Sequence, residues 1–316
     1  MHLFLLLDLI IGMNDGQIFI FAVMCYNFCM KSLRQHIAEA KENHVAIGHF
    51  NVSTLDGIWA VADAAKELNL PVIIGVSEGE RDYVGVRQAA LVVESIRKDR
   101  GQAIFLNADH TYSFDRVKEA IDAGFDAAIF DGAQLSFEEN VAQAKRCVEY
   151  ARASGRDVII EGELGFIGTS SKILDAIPDG AVVGDAAMTT PEDAARFVQE
   201  TGVDLLAPAV GNIHGVVKGG DPALNIGRVG EITAACGVPL VLHGASGNSA
   251  ADIQGAIKAG VSIVHVNTEL RIAYRSGLLK AFSDNPDEIA PYKYLKSAKL
   301  AMQKVVEEKL KIASGI

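Results

Sequence analysis

One pattern recurs eight times between Met30 and the C-terminus: a short apolar run, a polar loop, and an amphipathic stretch. The apolar runs are VAIGHF (45–50), PVIIGV (71–76), QAIFLN (102–107), DAAIF (126–130), DVIIEG (157–162), VDLLAP (203–208), VPLVLH (238–243) and VSIVHV (261–266). Each is short, free of charge at its centre and rich in Val, Ile, Leu or Ala, as strands buried on both faces should be. Eight strand–helix units in a chain of this size predict a (β/α)8 TIM barrel, with a doubly wound sheet carrying extra elements as the alternative. An extra C-terminal helix, 292–313, then packs outside the barrel.

The connecting stretches carry their own start and stop signals. In 54–68, Ile58, Val61, Ala62, Ala65 and Leu68 form one apolar stripe, and Ser53 or Thr54 can cap it. SFDRVKEAIDAG (113–124) begins on Ser and closes on Gly. TPEDAARFVQETG (190–202) places Thr before a proline in the first turn and again ends in Gly. KSLRQHIAEAKEN (31–43) reads as an ordinary amphipathic helix.

Residues 1–29 do not share this grammar. MHLFLLLDLIIG and IFIFAVMCYNFCM are apolar runs interrupted by NDGQ, each too short to span a bilayer, and Asp8 sits inside the first. A basic n-region and a small-residue cleavage site, the marks of a secretory signal, are not evident. The expectation is an atypical N-terminal extension, non-native or over-extended, outside a single barrel domain of residues 30–316; a membrane anchor is the alternative. A formal net charge of −11 argues against nucleic acid as a partner, and no membrane partner is expected. The four cysteines, Cys25, Cys29, Cys147 and Cys236, include no CxxC pair and read as reduced thiols of a cytoplasmic protein.

Barrels place their chemistry where strands end. Here those ends carry His49 and Asn51, Ser77 and Glu78, Asp109 and His110, Asp131, Glu161 and Glu163, His214, His243, and His265 with Asn267. Five of the 8 histidines therefore follow or terminate a strand. His110, His214 and His243 would meet at one mouth, and three imidazoles with an open fourth position suit a catalytic zinc, though cobalt or iron also accept them. Asp109 would stand near the metal, able to exchange a proton with a substrate hydroxyl or to orient a ligand. In EGELG (161–165) one of Glu161 and Glu163 is expected to face the barrel axis and the other a neighbouring strand. HGASG (243–247) and VNTEL (266–270) can offer backbone N–H groups to a phosphate after strands seven and eight. His265, at the end of the last run, reads as metal ligand, substrate contact or packing residue.

From Met30 onward the chain resembles the class II, metal-dependent fructose-bisphosphate and tagatose-bisphosphate aldolases. The resemblance rests on HFNVSTLD (49–56), PVIIGVSEG (71–79), ADHTYSFD (108–115), IFDGAQLSFEEN (129–140), EGELG, ETGVDLLAPAVGNIHGVVKG (200–219), LHGASG (242–247) and VNTELR (266–271). It implies a barrel lyase that reversibly cleaves fructose 1,6-bisphosphate to dihydroxyacetone phosphate and glyceraldehyde 3-phosphate in glycolysis and gluconeogenesis. It further implies Asp109 as proton donor to the C4 hydroxyl and His110, His214 and His243 as ligands of one catalytic Zn2+. Asp131 and Glu163 fall where a second or alternate divalent ion is held, and a monovalent cation also belongs to the implied set. Gly215, Gly244, Ala245, Ser246, His265, Val266, Asn267 and Thr268 match the dihydroxyacetone-phosphate site. Ser77 matches the aldehyde side, and Asn51 and Lys218 complete the substrate contacts. The partners implied are a small sugar phosphate and further copies of the chain, as a homodimer or homotetramer.

The departures are specific. The family's mobile loop carries adjacent Glu residues, whereas GFIGTSSKILDAIPDGAVVGDAAMTT (165–190) has none; Asp175, Asp179 or Asp185 could replace the enolisation base, and Lys172 could reach a phosphate. Ile263 stands for the usual Lys, Ala133 for a Ser, and His265 for a substrate-contacting Asn, which makes His265 a substrate contact rather than a ligand. Two alternatives follow: a divergent aldolase for another phosphorylated ketose such as tagatose 1,6-bisphosphate, or a non-catalytic metal-binding barrel that holds sugar phosphates.

Overall fold

In the computed structural model, residues 31–168, 171–177, 181 and 188–316 are described. The apolar N-terminal stretch with Cys25 and Cys29, and Asp179 and Asp185, lie outside the described residues. Helix α1 (Leu33–Glu42) leads into β1 (Ile47–Asn51), α2 (Leu55–Leu68), β2 (Val72–Val76), α3 (Glu78–Val84) and α4 (Val86–Arg100). Next come β3 (Ile104–Thr111), α5 (Phe114–Ala123), β4 (Ala127–Phe130), α6 (Phe137–Ala153) and β5 (Ile159–Leu164). A short β6 (Ile173–Leu174) precedes α7 (Pro191–Thr201), β7 (Leu205–Pro208), a short β8 (Val216–Val217) and α8 (Ile226–Cys236). The chain ends with β9 (Leu240–Leu242), α9 (Ala250–Ala259), β10 (Val261–Val266), α10 (Thr268–Asp284) and α11 (Pro291–Ser314).

Eight strands close into a parallel barrel in the order β1-β10-β9-β7-β5-β4-β3-β2. Closure excludes the doubly wound alternative, which leaves two sheet edges open. β6 and β8 pair separately as a two-stranded sheet, Ile173 against Val216 and Leu174 against Val217. Strands of two residues are too short to show any periodicity in sequence.

Side chains along a strand alternate between faces, so every second residue enters the barrel. The lowest inward layer is apolar: Ile47, Ile73, Phe105, Ala127, Ile159, Leu205, Val241 and Ile263 form one cluster with Leu33, Ile37 and Ala40 of α1. α1 thus plugs the N-terminal mouth. Two residues further on, the same faces carry His49, Asn107, Glu161, His243 and His265, all buried. The barrel therefore changes from oil to polar network along its axis.

The helices form where the caps allow. Thr54, Ser113 and Thr190 each accept a hydrogen bond from the backbone N–H three residues on, and Gly124 and Gly202 close α5 and α7 in the left-handed region. Each cap of this type stabilises its helix by about 1 kcal/mol. α11 lies outside the barrel, burying Ala298, Met302, Val306 and Leu310, and its Ala313 carbonyl accepts from Ala46 N at 2.9 Å just before β1.

Candidate active site

β3 runs beyond the apolar run read from sequence, and its pairing with β4 shifts register between Ala108 and Thr111. The irregularity holds Asp109 and His110, and His110 adopts φ 34, a left-handed value that non-glycine residues rarely take. The bulge turns both side chains toward the C-terminal mouth.

There His110 meets His214 and His243. Ring centroids are 4.6 Å apart for His110–His214, 4.9 Å for His110–His243 and 6.0 Å for His214–His243. One ligand atom of each lies within 4.8 Å of those of the others. Hydrogen bonds behind the rings fix which nitrogen is left. His214 Nδ1 donates to the Gly168 carbonyl at 2.5 Å, His243 Nε2 meets Glu161 Oε1 at 2.7 Å, and His110 Nδ1 meets Asp131 Oδ2 at 2.9 Å. A carbonyl or carboxylate accepts, so each ring offers its other nitrogen's lone pair to the shared space. His243 Nδ1 and Glu163 Oε2 are buried there with no hydrogen-bond partner. Orphaned buried polar atoms are costly, and a divalent cation would satisfy them.

Four carboxylates surround these rings. Glu163 Oε2 is 3.5 Å from His110 Nδ1 and 3.7 Å from His243 Nδ1. Glu161 and Glu163 both face the interior, contrary to the expectation that only one would; residues two apart on a strand share a face. Burial, with the charge of Asp131, pushes Glu163 up to about 8, and burial raises Glu161. Burial opposes ionisation of Asp109 as well, but His110, His265 and His49 together outweigh it and hold the carboxyl well below its usual value. His110 is raised despite its burial, chiefly by Asp109, whereas burial takes His214 down to about 3. A site whose acids pull a proton onto one imidazole favours a cation in the same place.

Asp109 is itself held. Its Oδ2 accepts from Asn51 Nδ2 at 2.8 Å, and its Oδ1 lies 3.5 Å from His265 Nδ1 without a hydrogen bond. Asn51 also donates to Glu80, whose other oxygen meets Arg271 at 2.7 Å. His265 forms the cleft floor, stacked between His49 at 3.5 Å and His243 at 4.2 Å, and lines the cavity.

The cleft above these groups, about 190 Å³, is lined by Asn51, Ser77, Asp109, His110, His214, Gly215, Gly244, Ser246, His265, Asn267 and Thr268 among the residues expected from sequence. Three of the expected substrate contacts are not brought to it. Lys218 is exposed and pairs with Asp175 at 2.6 Å, each residue directly following its strand of the β8–β6 pair. Val266 points into the apolar shell between strands and helices. Ala245 is buried and spends its N–H on the His265 carbonyl at 3.2 Å, so it has none to give an anion. Asp175 is taken up by Lys218, and neither it nor Lys172 lines the cleft. The Ala133 N–H donates to Asp131 at 3.2 Å. Sequence reading overlooked Tyr112, Ser171 and Arg271, which also line the cleft. Arg271 lies one helical turn past Thr268, a spacing that could have revealed it.

Comparison with known proteins gives one answer. A family model described as fructose-bisphosphate aldolase class-II matches residues 31–315. A fructose-bisphosphate aldolase of Staphylococcus aureus (strain Mu50) is 38% identical over 283 residues, covering 89% of this chain and 96% of that protein. One from Geobacillus stearothermophilus is 35% identical over 283 residues, covering 89% of this chain and 95% of its own. The crystal structure of the YdjI aldolase from Escherichia coli K12 superposes with a TM-score of 0.76 at 31% identity, covering 90% of this chain and 98% of that one.

Proposed function

Since the chain belongs to the class II fructose-bisphosphate aldolase family and is a lyase, we propose that it reversibly cleaves fructose 1,6-bisphosphate to dihydroxyacetone phosphate and glyceraldehyde 3-phosphate in this cleft. The observation that carries the reading is the convergence of three imidazoles, each with one nitrogen left over, beside the buried carboxylate of Asp109. His110 Nε2, His214 Nε2 and His243 Nδ1 would hold the ion, and zinc suits three imidazoles with an open position. A bound divalent ion supplies Lewis acidity to the substrate ketone.

The chain's own residues do the rest. Asp109 Oδ1, without a hydrogen bond, takes the C4 hydroxyl proton during cleavage and returns it in condensation, while Asn51 fixes Oδ2 and so the direction of the carboxylate. Gly215, Gly244 and Ser246 form the concave side suited to one phosphate, and Arg271 brings a guanidinium to the Ser77 side for the other. His265 and Asn267 hold the substrate between them. Asp131 and Glu163, sharing His110 within ligand distance, support room for a second or alternate divalent ion.

Residues 30–316 form the catalytic domain, with 1–29 an addition to it; the matched range supports this division. Among the described residues no helix is long and apolar enough to cross a membrane. A cytoplasmic location suits the free thiols of Cys147 and Cys236. Exposed Leu279, Phe282, Ile289 and Tyr292 near the α10–α11 connection support a homodimer or homotetramer.

A metal-loaded assay of fructose 1,6-bisphosphate cleavage, with bound metal quantified on the same sample, tests the reading. Turnover that EDTA abolishes is expected. Metal-loaded protein without cleavage would refute the substrate, and Asp109→Ala with wild-type turnover would refute the role of Asp109. His265 on the cleft floor favours tagatose 1,6-bisphosphate as the second substrate to assay, since a ring there changes what the ketose's hydroxyls meet.

A further inference from the structure

Arg81, in the second turn of the short α3, has no exposed surface and is the largest fully buried side chain of the described residues. Among those residues it has no ion-pair partner. Removing a guanidinium from water without a carboxylate to receive it is costly, and an apolar side chain of similar volume would fill the space with less penalty. Packing alone therefore does not account for it.

Its hydrogen bonds do. Nη1 donates to the Val76 carbonyl at 2.7 Å and to the Asp109 carbonyl at 3.1 Å, and Nη2 donates to Thr111 Oγ1 at 3.0 Å. One planar group thus ties the end of β2 to the residues immediately before and after His110. That segment is the irregular part of β3, where register shifts and His110 takes φ 34. A left-handed backbone at a non-glycine residue persists only when its surroundings over-determine it. The rest of α3 is anchored too: Glu80 accepts from the Ser77 backbone at 2.8 Å and from Asn51 at 2.9 Å.

We propose that Arg81 is a positioning residue that clamps the Asp109–Thr111 bulge from behind, holding His110 toward the metal and Asp109 toward the substrate. It touches neither metal nor substrate. The role rests on the metal-site reading above and extends it to a side chain outside the cleft. A rigid fork is required, because a lysine ammonium cannot reach acceptors on β2 and on both sides of His110 with the same geometry.

The test uses the full chain with Arg81→Met, Arg81→Lys and Thr111→Val. Zinc affinity is measured by chelator competition, the cobalt-loaded protein by its visible spectrum, and cleavage of fructose 1,6-bisphosphate by kcat and KM separately. Arg81→Met is expected to weaken zinc binding by about 10–100-fold, the range for residues that orient metal ligands. The cobalt spectrum should change, and kcat should fall with KM little altered. Arg81→Lys should restore only part of the loss, and Thr111→Val should shift zinc affinity in the same direction by a smaller factor. Folded Arg81→Met with wild-type zinc affinity and cobalt spectrum overturns the proposal. If that variant does not fold, Thr111→Val decides, and wild-type zinc affinity there overturns it. Wild-type protein that binds zinc but does not cleave the sugar removes the proposed reaction and leaves the zinc and cobalt readouts to judge Arg81.

Discussion

Replacing Gly244 with alanine should break the site while leaving the barrel folded. Gly244 sits at φ +62, directly after His243, and an alanine Cβ would lie 2.1 Å from the Ile213 carbonyl oxygen and 3.3 Å from His214 N. The left-handed backbone alone costs a non-glycine residue about 1–2 kcal/mol. The clash is worse, because its partner is backbone and cannot rotate aside. Relief requires the segments carrying His243 and His214 to separate by about 1 Å, several times the ~0.2 Å tolerance of metal–ligand distances. A misplacement of about 1 Å costs roughly 100-fold in rate, or about 2.7 kcal/mol at the transition state. Cleavage is followed by coupling product triose phosphate to NADH oxidation, and zinc affinity by chelator competition. The expected outcome is kcat/KM down about 100-fold, zinc binding weaker by at least about tenfold, and melting lower by only a few degrees. Gly79→Ala is the control at the same mouth, since nothing lies within 4 Å of its added Cβ. Retention of kcat/KM and zinc affinity within about threefold in Gly244→Ala, or equal damage from Gly79→Ala, would refute the wedge argument.

Three further outcomes are expected. Chelation should abolish cleavage and lower the melting temperature, because an ion that binds only the native state stabilises it by mass action; a melting curve indifferent to EDTA speaks against the site. Asp63 joins Arg100 at 2.6 Å and Lys299 at 2.5 Å, tying α2 to α4 and α11. Burial opposes its ionisation, but Lys299 and Arg100 outweigh that and depress the carboxyl below its usual 3.8. Its stabilisation is therefore present above that value and lost as pH falls through the depressed one, so Asp63→Asn should cost about 1 kcal/mol near neutrality and converge with wild type in acid. A constant difference down to about pH 3 in chemical denaturation would contradict this. Burial also pushes the Cys147 thiol up to about 12, so thiol reagents at mildly alkaline pH should label it only after denaturation, as mapped by peptide mass spectrometry; prompt labelling of native protein would show it accessible.

Much of the architecture is legible because strands buried on both faces write themselves as uninterrupted apolar runs, and because Thr54, Ser113 and Thr190 announce helices by cap chemistry. The site is legible for a related reason. In Ile47-Gly48-His49-Phe50-Asn51 and Ile263-Val264-His265-Val266-Asn267, alternate residues pass from apolar to polar, so one face of each strand leads from core to chemistry. The same period of two shows that Glu161 and Glu163 share a face. What sequence hides is tertiary. Arg81 in SEGERDYVG resembles any exposed charge of a loop helix, and only the fold of α3 against β2 and β3 buries it. Lys218 follows His214 by four residues, yet the β6–β8 pairing turns it to Asp175.

The ring geometry also decides which histidines can be ligands. His49, Asp109 and His265 have atoms within 4.8 Å of one another, as do Glu161, His243 and His265 and also His110, Asp131 and Glu163, so with His110, His214 and His243 distance alone would allow four overlapping metal sites. Imidazole lone pairs lie in the ring plane. His49 and His265 stack at 3.5 Å with planes 3° apart, and His265 and His243 at 4.2 Å with planes 18° apart. A metal in the plane of one such ring stands well out of the plane of the next, so no stacked pair can share it. His110 stands at 82° to His214 and 86° to His243, an arrangement in which in-plane lone pairs can meet at one point. Burial keeps two rings of the stack neutral, drawing His49 down to about 4 and His265 well below its usual value. Gly75 leaves the room, since a Cβ there would fall 2.1 Å from His49 Cε1. Two of the five strand-end histidines are thereby set aside as an uncharged floor, and the other three are left to converge above it.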